Sequence, residues 1–92
     1  MTARYAVCPE VAWEVDDRGP DLIAAAVVLP DGELQVLLGS GGAIWVEATS
    51  ATEAFTADEM ADRVGATAQD QRVSVRAFLE ELTALGLLVA SQ

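Results

Sequence analysis

The hydrophobic pattern of the chain predicts three short strands in its first half. Apolar side chains alternate with smaller or acidic ones over residues 11–16, which is the period of two expected of a half-buried strand. Residues 22–29 form a continuous apolar run whose alanines would also suit a helix. A strand is favoured because the run is short and meets Pro-Asp-Gly at 30–32, typical hairpin chemistry, before a third strand at 34–38.

The third predicted strand is the most informative segment. Leu34, Val36 and Leu38 would lie on one of its faces and the two intervening residues on the other. The strand follows a hairpin turn and stops at a glycine-rich turn, residues 39–42, so we expect it to be the last strand of a small sheet. One backbone edge would then be unpaired and could receive another peptide.

Helix start and stop signals predict three helices in the second half. Ser40 is a candidate N-cap for a first helix that ends near residues 49–52. Thr56 and Glu59 fit a capping box at the start of a second helix. Apolar residues at three- and four-residue steps predict a third helix over residues 70–85. Three strands followed by three helices indicate a single α+β domain.

Two tryptophans and two arginines are the side chains most open to a functional interpretation. We assign Trp13 to the buried face of the sheet and Trp45 to the junction between sheet and helices, rather than to a ligand pocket. Arg72 and Arg76 share one face of the third helix. They either pair locally with Glu80 or contact an acidic partner.

Charge and composition argue against several classes of function. The chain has 92 residues, enough for one domain with a small core, and its fifteen acidic residues against five arginines give a net charge of −10. We therefore expect no nucleic-acid and no membrane partner. The N-terminus lacks signal-peptide features and no stretch is long and apolar enough to span a membrane, so we expect a cytoplasmic protein.

Catalytic and cofactor chemistry is almost missing from the sequence. Cys8 is the only cysteine and there is no histidine, so neither a zinc site nor an activated thiolate is expected. The glycine-rich turn lacks the lysine of a phosphate-binding loop, and the adjacent acidic pairs lack the spacing of a calcium loop. We expect no metal, no cofactor and no enzymatic activity.

The order of these elements resembles the PqqD-like family, small recognition domains that bind the leader peptides of ribosomally made, post-translationally modified peptides. The resemblance covers nearly all of residues 9–89. Residues 8–13 are similar to the family's first strand, and residues 30–38 to its hairpin and third strand. Residues 41–45 are similar to its Trp signature, and residues 78–88 to its terminal helix.

The resemblance implies a winged-helix-like fold in which a three-stranded antiparallel sheet packs on three helices. In that family the leader peptide adds as a further strand beside the third strand, and its side chains enter the groove between that strand and the third helix. The corresponding strand edge in this chain is Glu33, Leu34, Gln35, Val36, Leu37 and Leu38. The corresponding helical wall is Val73, Arg76, Leu79 and Thr83, with Arg72 and Arg76 as partners for leader carboxylates.

The resemblance therefore implies a noncatalytic protein that binds a precursor's leader region and delivers it to a separate modifying enzyme or leader peptidase. The third strand lacks the aromatic residue common in the family and the groove is less basic, so we expect a less acidic partner than usual. A winged-helix DNA-binding regulator is the main alternative, although the chain has no lysine. A small acidic carrier protein is another. The open edge could also pair with a second copy to give a homodimer.

Overall fold

A computed structural model of the chain describes residues 2–19 and 22–91. These residues form an α+β structure of five strands and three helices. In chain order the elements are β1 (Arg4–Val7), β2 (Val11–Asp16), β3 (Ile23–Val28), β4 (Gln35–Leu38), α1 (Ser40–Ser50), α2 (Ala57–Arg63), α3 (Gln69–Ala84) and β5 (Leu88–Ser91). No helix in the described part of the chain is long and apolar enough to cross a membrane.

The strands and helices that the hydrophobic pattern predicts are all present. β2, β3 and β4 form an antiparallel sheet with β3 in the centre. Ala24 lies opposite Val15 on one side and Leu37 on the other, so the alanine run belongs to a strand and not to a helix. β2 and β4 are the two edges of this sheet.

Two further strands, which the hydrophobic pattern does not predict, join the two ends of the described chain. β1 pairs with β5, and Tyr5 also exchanges backbone hydrogen bonds of 2.7 and 2.9 Å with Phe55. Each strand has only 4 residues and a partner far away in sequence, so no local period or turn signals the pairing. The expected order is therefore corrected to four strands, three helices and a final strand.

The core lies between the three-stranded sheet and the helices, and Trp45 is its largest fully buried side chain. The predicted place of Trp45 at the junction of sheet and helices is confirmed. Ala24 and Ala26 are also fully buried on β3, which α1 contacts, and their small side chains leave room for the indole. Trp13 shares the inner face with Ala26, but it is 46% exposed because β2 is an edge strand. The predicted face of Trp13 is therefore confirmed, although the side chain stays partly exposed; its ring meets that of Trp45 edge-on, with 6.3 Å between centroids.

The ends of α2 and α3 agree closely with the predicted signals. The Thr56 hydroxyl accepts a hydrogen bond from the Glu59 amide, and the Glu59 carboxylate accepts one from the Thr56 amide, so the capping box is confirmed. The bond from the Thr56 amide lowers the pKa of Glu59 below its ordinary value. α3 ends just before Gly86, whose φ of 82° suits a glycine helix stop.

α1 begins directly after β4 and lies against the ends of the strands. Gly39, rather than the predicted Ser40, is its N-cap, and its φ of 56° turns the chain from strand to helix. A β-carbon on Gly42 would lie 3.2 Å from the carbonyl oxygens of both Leu22 and Leu37. The helix approaches the sheet this closely because residue 42 has no side chain.

Gly42→Ala should lower the free energy of unfolding by about 1 kcal/mol, because the strain of the new methyl group against two backbone carbonyls outweighs the gain in helix propensity. Urea denaturation followed by circular dichroism measures the change. Gly41→Ala is the matched control, since its methyl group would meet only the end of the Phe78 ring, at 3.0 Å. A Gly42→Ala protein as stable as the wild type would show that α1 does not need this close approach.

Candidate functional site: the open edge of β4 and its groove

The outer edge of β4 offers backbone groups to a further strand. β4 pairs only with β3 in the described part of the chain. The Gly39 amide donates to the Leu22 carbonyl at 3.2 Å, which extends the β3–β4 register and marks this pair as a hydrogen-bonded one. Hydrogen-bonded and non-hydrogen-bonded pairs alternate along antiparallel strands. The amide and carbonyl groups of Val36 and Leu38 therefore point away from β3, toward the open edge.

The side chains along this edge are apolar and largely exposed. Leu34, Val36 and Leu38 are 65%, 57% and 61% exposed, whereas Leu37 on the inner face is 8% exposed. The predicted alternation is confirmed, and the more apolar face of the segment is the one in solvent. Exposed aliphatic side chains beside unpaired backbone groups are typical of an edge that either docks a strand or aggregates.

A groove of about 670 Å³ lies between β4 and α3. It is lined by β4, the first turns of α1, one face of α3 and the turn between α2 and α3 at residues 64–66. This lining suits aliphatic or aromatic side chains of a ligand. Its apolar side chains from the inner face of β4 and from the helices include Leu37, Ile44, Val75 and Phe78.

The residues expected to form the strand edge lie on or beside this groove. Val36, Leu37 and Leu38 line it. Gln35 is half-buried at the start of β4, and the two expected residues that precede it are exposed. The structure thus brings the last three residues of the expected edge to the groove.

Arg72 does not face the groove, because it is engaged in the contact between α2 and α3. Its guanidinium donates to the Asp62 carboxylate at 2.9 Å, to the Ala66 carbonyl at 2.8 Å and to the Asp58 carboxylate at 3.4 Å. The bond to Asp62, foremost among these, raises the pKa of Arg72 above its ordinary value. Arg72 therefore holds the turn at residues 64–66 against α3 and does not offer its charge to a ligand in the groove.

The other residues expected on the helical wall also lie on different faces of α3. Leu79 is fully buried, Val73 is 54% exposed, and the half-buried Thr83 donates its hydroxyl hydrogen bond to the Leu79 carbonyl at 2.8 Å. Arg76 lies two residues beyond Ser74, on roughly the opposite side of the helix from the groove. The face of α3 that lines the groove contains other residues than the expected wall: Asp70, Gln71, Ser74, Val75 and Phe78.

The apolar stripe of α3 contains the signal for this face. Val75 and Phe78 belong to the apolar repeat of three- and four-residue steps that predicts the helix. This repeat alone predicts a core position for both residues. Val75 is buried and Phe78 only partly so, and both line the groove. A β-carbon on Gly41 would lie 3.0 Å from the Phe78 ring, so this ring rests directly on the backbone of α1.

Comparison of the chain with protein-family models, with curated proteins and with solved structures finds no match. Within residues 2–19 and 22–91, no group of three or more His, Cys, Asp or Glu side chains could hold a metal ion. The open edge of β4 and the groove beside it are the features on which a function can rest.

Arg72→Gln should lower the melting temperature by several degrees and speed amide hydrogen exchange in residues 64–66, because the turn loses its bond from the guanidinium. Arg76→Gln removes the same charge from another face of α3 and should leave exchange in this turn unchanged. Hydrogen exchange read by mass spectrometry compares the two variants. Equal exchange rates in both would contradict the role assigned to Arg72.

Proposed function

We propose that this chain is a noncatalytic peptide-recognition domain, similar in role to the PqqD-like family, that binds the leader region of a ribosomally synthesised precursor peptide. The observation that supports this proposal is the outer edge of β4, which pairs with no other described strand and lies beside an apolar groove. The domain presents the bound precursor to a separate modifying enzyme or leader peptidase in the cytoplasm, where ribosomes make the precursor. A winged-helix-like relation between the three-stranded sheet and the helices is part of the same proposal.

Strand addition would use both parts of the site. A peptide beside β4 would exchange hydrogen bonds with the outward amide and carbonyl groups of Val36 and Leu38. Its side chains would alternate between the two faces of the sheet. Those beside Leu37 would enter the groove near Phe78, and those beside Val36 would cover the exposed outer face. Backbone bonds would set the register, and the groove would select among side chains.

Val36→Pro tests this mode of binding. Proline removes the outward amide of residue 36 without removing a bond of the β3–β4 ladder, so an edge strand can accept it and the protein should stay folded. The probe is a fluorescently labelled peptide from the leader region of a short precursor, to be sought in the reading frames that neighbour the gene. Fluorescence anisotropy should show an affinity loss of about tenfold or more, since a backbone bond is lost and the edge is reshaped.

Two controls separate the amide from other effects of the substitution. Val36→Ala keeps the amide and should cost less affinity than proline. Val15→Pro makes the same change on the opposite edge of the sheet. The Leu29 amide donates to the Glu10 carbonyl at 2.9 Å, which marks that pair as hydrogen-bonded. Because hydrogen-bonded and non-hydrogen-bonded pairs alternate along β2 and β3, the Val15 amide points away from β3. This variant should bind like the wild type. A folded Val36→Pro protein that binds the leader peptide with unchanged affinity would rule out strand addition at β4.

A further inference from the structure

We infer that the segment recognised at β4 is neutral to basic: a run of consecutive apolar residues flanked by lysine or arginine, with one basic side chain beside Asp70. This inference rests on the proposed function and adds the chemistry of the peptide. Three features carry it: apolar surface on both sides of the edge, the positions of the arginines, and the carboxylate that lines the groove.

Both faces of a docked strand would meet apolar side chains. On the inner side, the groove presents Ile44, Val75 and Phe78. On the outer side, Val36 and Leu38 are 57% and 61% exposed, and covering them would remove apolar surface from water. A peptide with alternating apolar and polar residues would set polar side chains against one of these surfaces. A continuous apolar run fits both.

All five arginines of the chain are among the described residues, and none of them lines the groove. Arg76 lies on the opposite side of α3. Arg4, Arg18 and Arg72 each pair with a carboxylate elsewhere on the surface. The Arg63 guanidinium lies over the Phe55 ring. A carboxylate on the bound peptide would therefore find no arginine in the groove.

Asp70 is the one ionisable side chain in the groove lining, as far as the structure describes the chain. It lies in the first turn of α3, where a helix N-terminus could otherwise attract an anion. Gln71 Oε1 accepts hydrogen bonds from the Thr67 and Ala68 amides at 3.1 and 3.2 Å, so these donors are already satisfied. Asp70 therefore makes this end of the groove suit a cation.

The apolar run and the flanking charges of the peptide should change its affinity by different amounts. Burying one aliphatic side chain strengthens binding by roughly ten- to a hundredfold, whereas an exposed ion pair changes affinity by about fivefold at most. The chain carries a net charge of −10, so an acidic peptide would also be repelled as it approaches. Affinity should come from the apolar run, and discrimination from the flanking charges.

A matched set of labelled peptides tests the inference by fluorescence anisotropy. Each carries the same central run of valine, leucine and isoleucine, flanked by lysines, by glutamines or by glutamates. The lysine-flanked peptide should bind about tenfold more tightly than the glutamate-flanked one, because attraction is replaced by repulsion. The difference should shrink at high salt. Replacing every second apolar residue with serine should weaken binding by about tenfold or more.

Variants of the domain locate the charge preference. Asp70→Arg should abolish or reverse it, and Asp70→Asn should reduce it. Glu53→Arg is the matched control: it makes the same change in net charge beside Trp13, near the opposite edge of the sheet, and should keep most of the preference. Equal effects of Asp70→Arg and Glu53→Arg would overturn the role of Asp70.

The proposed function and this inference fail in different ways. If the glutamate-flanked peptide binds the wild type tightly and Val36→Pro abolishes this binding, the inference is wrong and strand addition at β4 is supported. Undiminished binding of the lysine-flanked peptide to folded Val36→Pro would show that strand addition is wrong. If the wild type binds none of these peptides, the inference is wrong, and titration with the leader peptide decides the proposed function separately.

Discussion

The close contact between α1 and the ends of β3 and β4 determines the shape of the candidate site. Gly39 turns the chain out of β4 with a φ of 56°, and Gly42 brings the helix backbone against the carbonyls of Leu22 and Leu37. The helix also buries Trp45 in the core. The chain passes from β4 straight into this helix, and no later segment of the described chain pairs with β4.

The second wall of the groove depends on two contacts of α3 that lie in different parts of the helix. Phe78 rests on the backbone of α1 at Gly41, where any larger side chain would meet the ring. Earlier in the helix, Arg72 bonds to Asp62 and to the Ala66 carbonyl and so holds the neighbouring turn. Between these contacts α3 is kept apart from β4, and a groove remains where a closer approach would have filled the space with side chains.

Local signals were sufficient to predict β2, β3, β4 and the three helices, but not their full arrangement. The β1–β5 pair joins distant parts of the chain, which no turn or period marks. The rotation of α3 depends equally on tertiary contacts: Leu79 is fully buried and Phe78 only partly so, although both belong to one apolar stripe. The acidic partners of Arg72 lie on another helix, so helical spacing could not reveal that its charge is already engaged.

An open apolar edge can also pair with a second copy of the chain, and net charge acts on that process as well as on peptide choice. Two copies that meet edge to edge each carry a charge of −10. At about 0.1 M salt their charges interact over distances of roughly 10 Å, so the repulsion acts at the moment of contact. A short neutral or basic segment meets no such repulsion. The acidity that disfavours acidic peptides therefore also disfavours self-pairing, and added salt weakens both effects together because they have the same electrostatic cause.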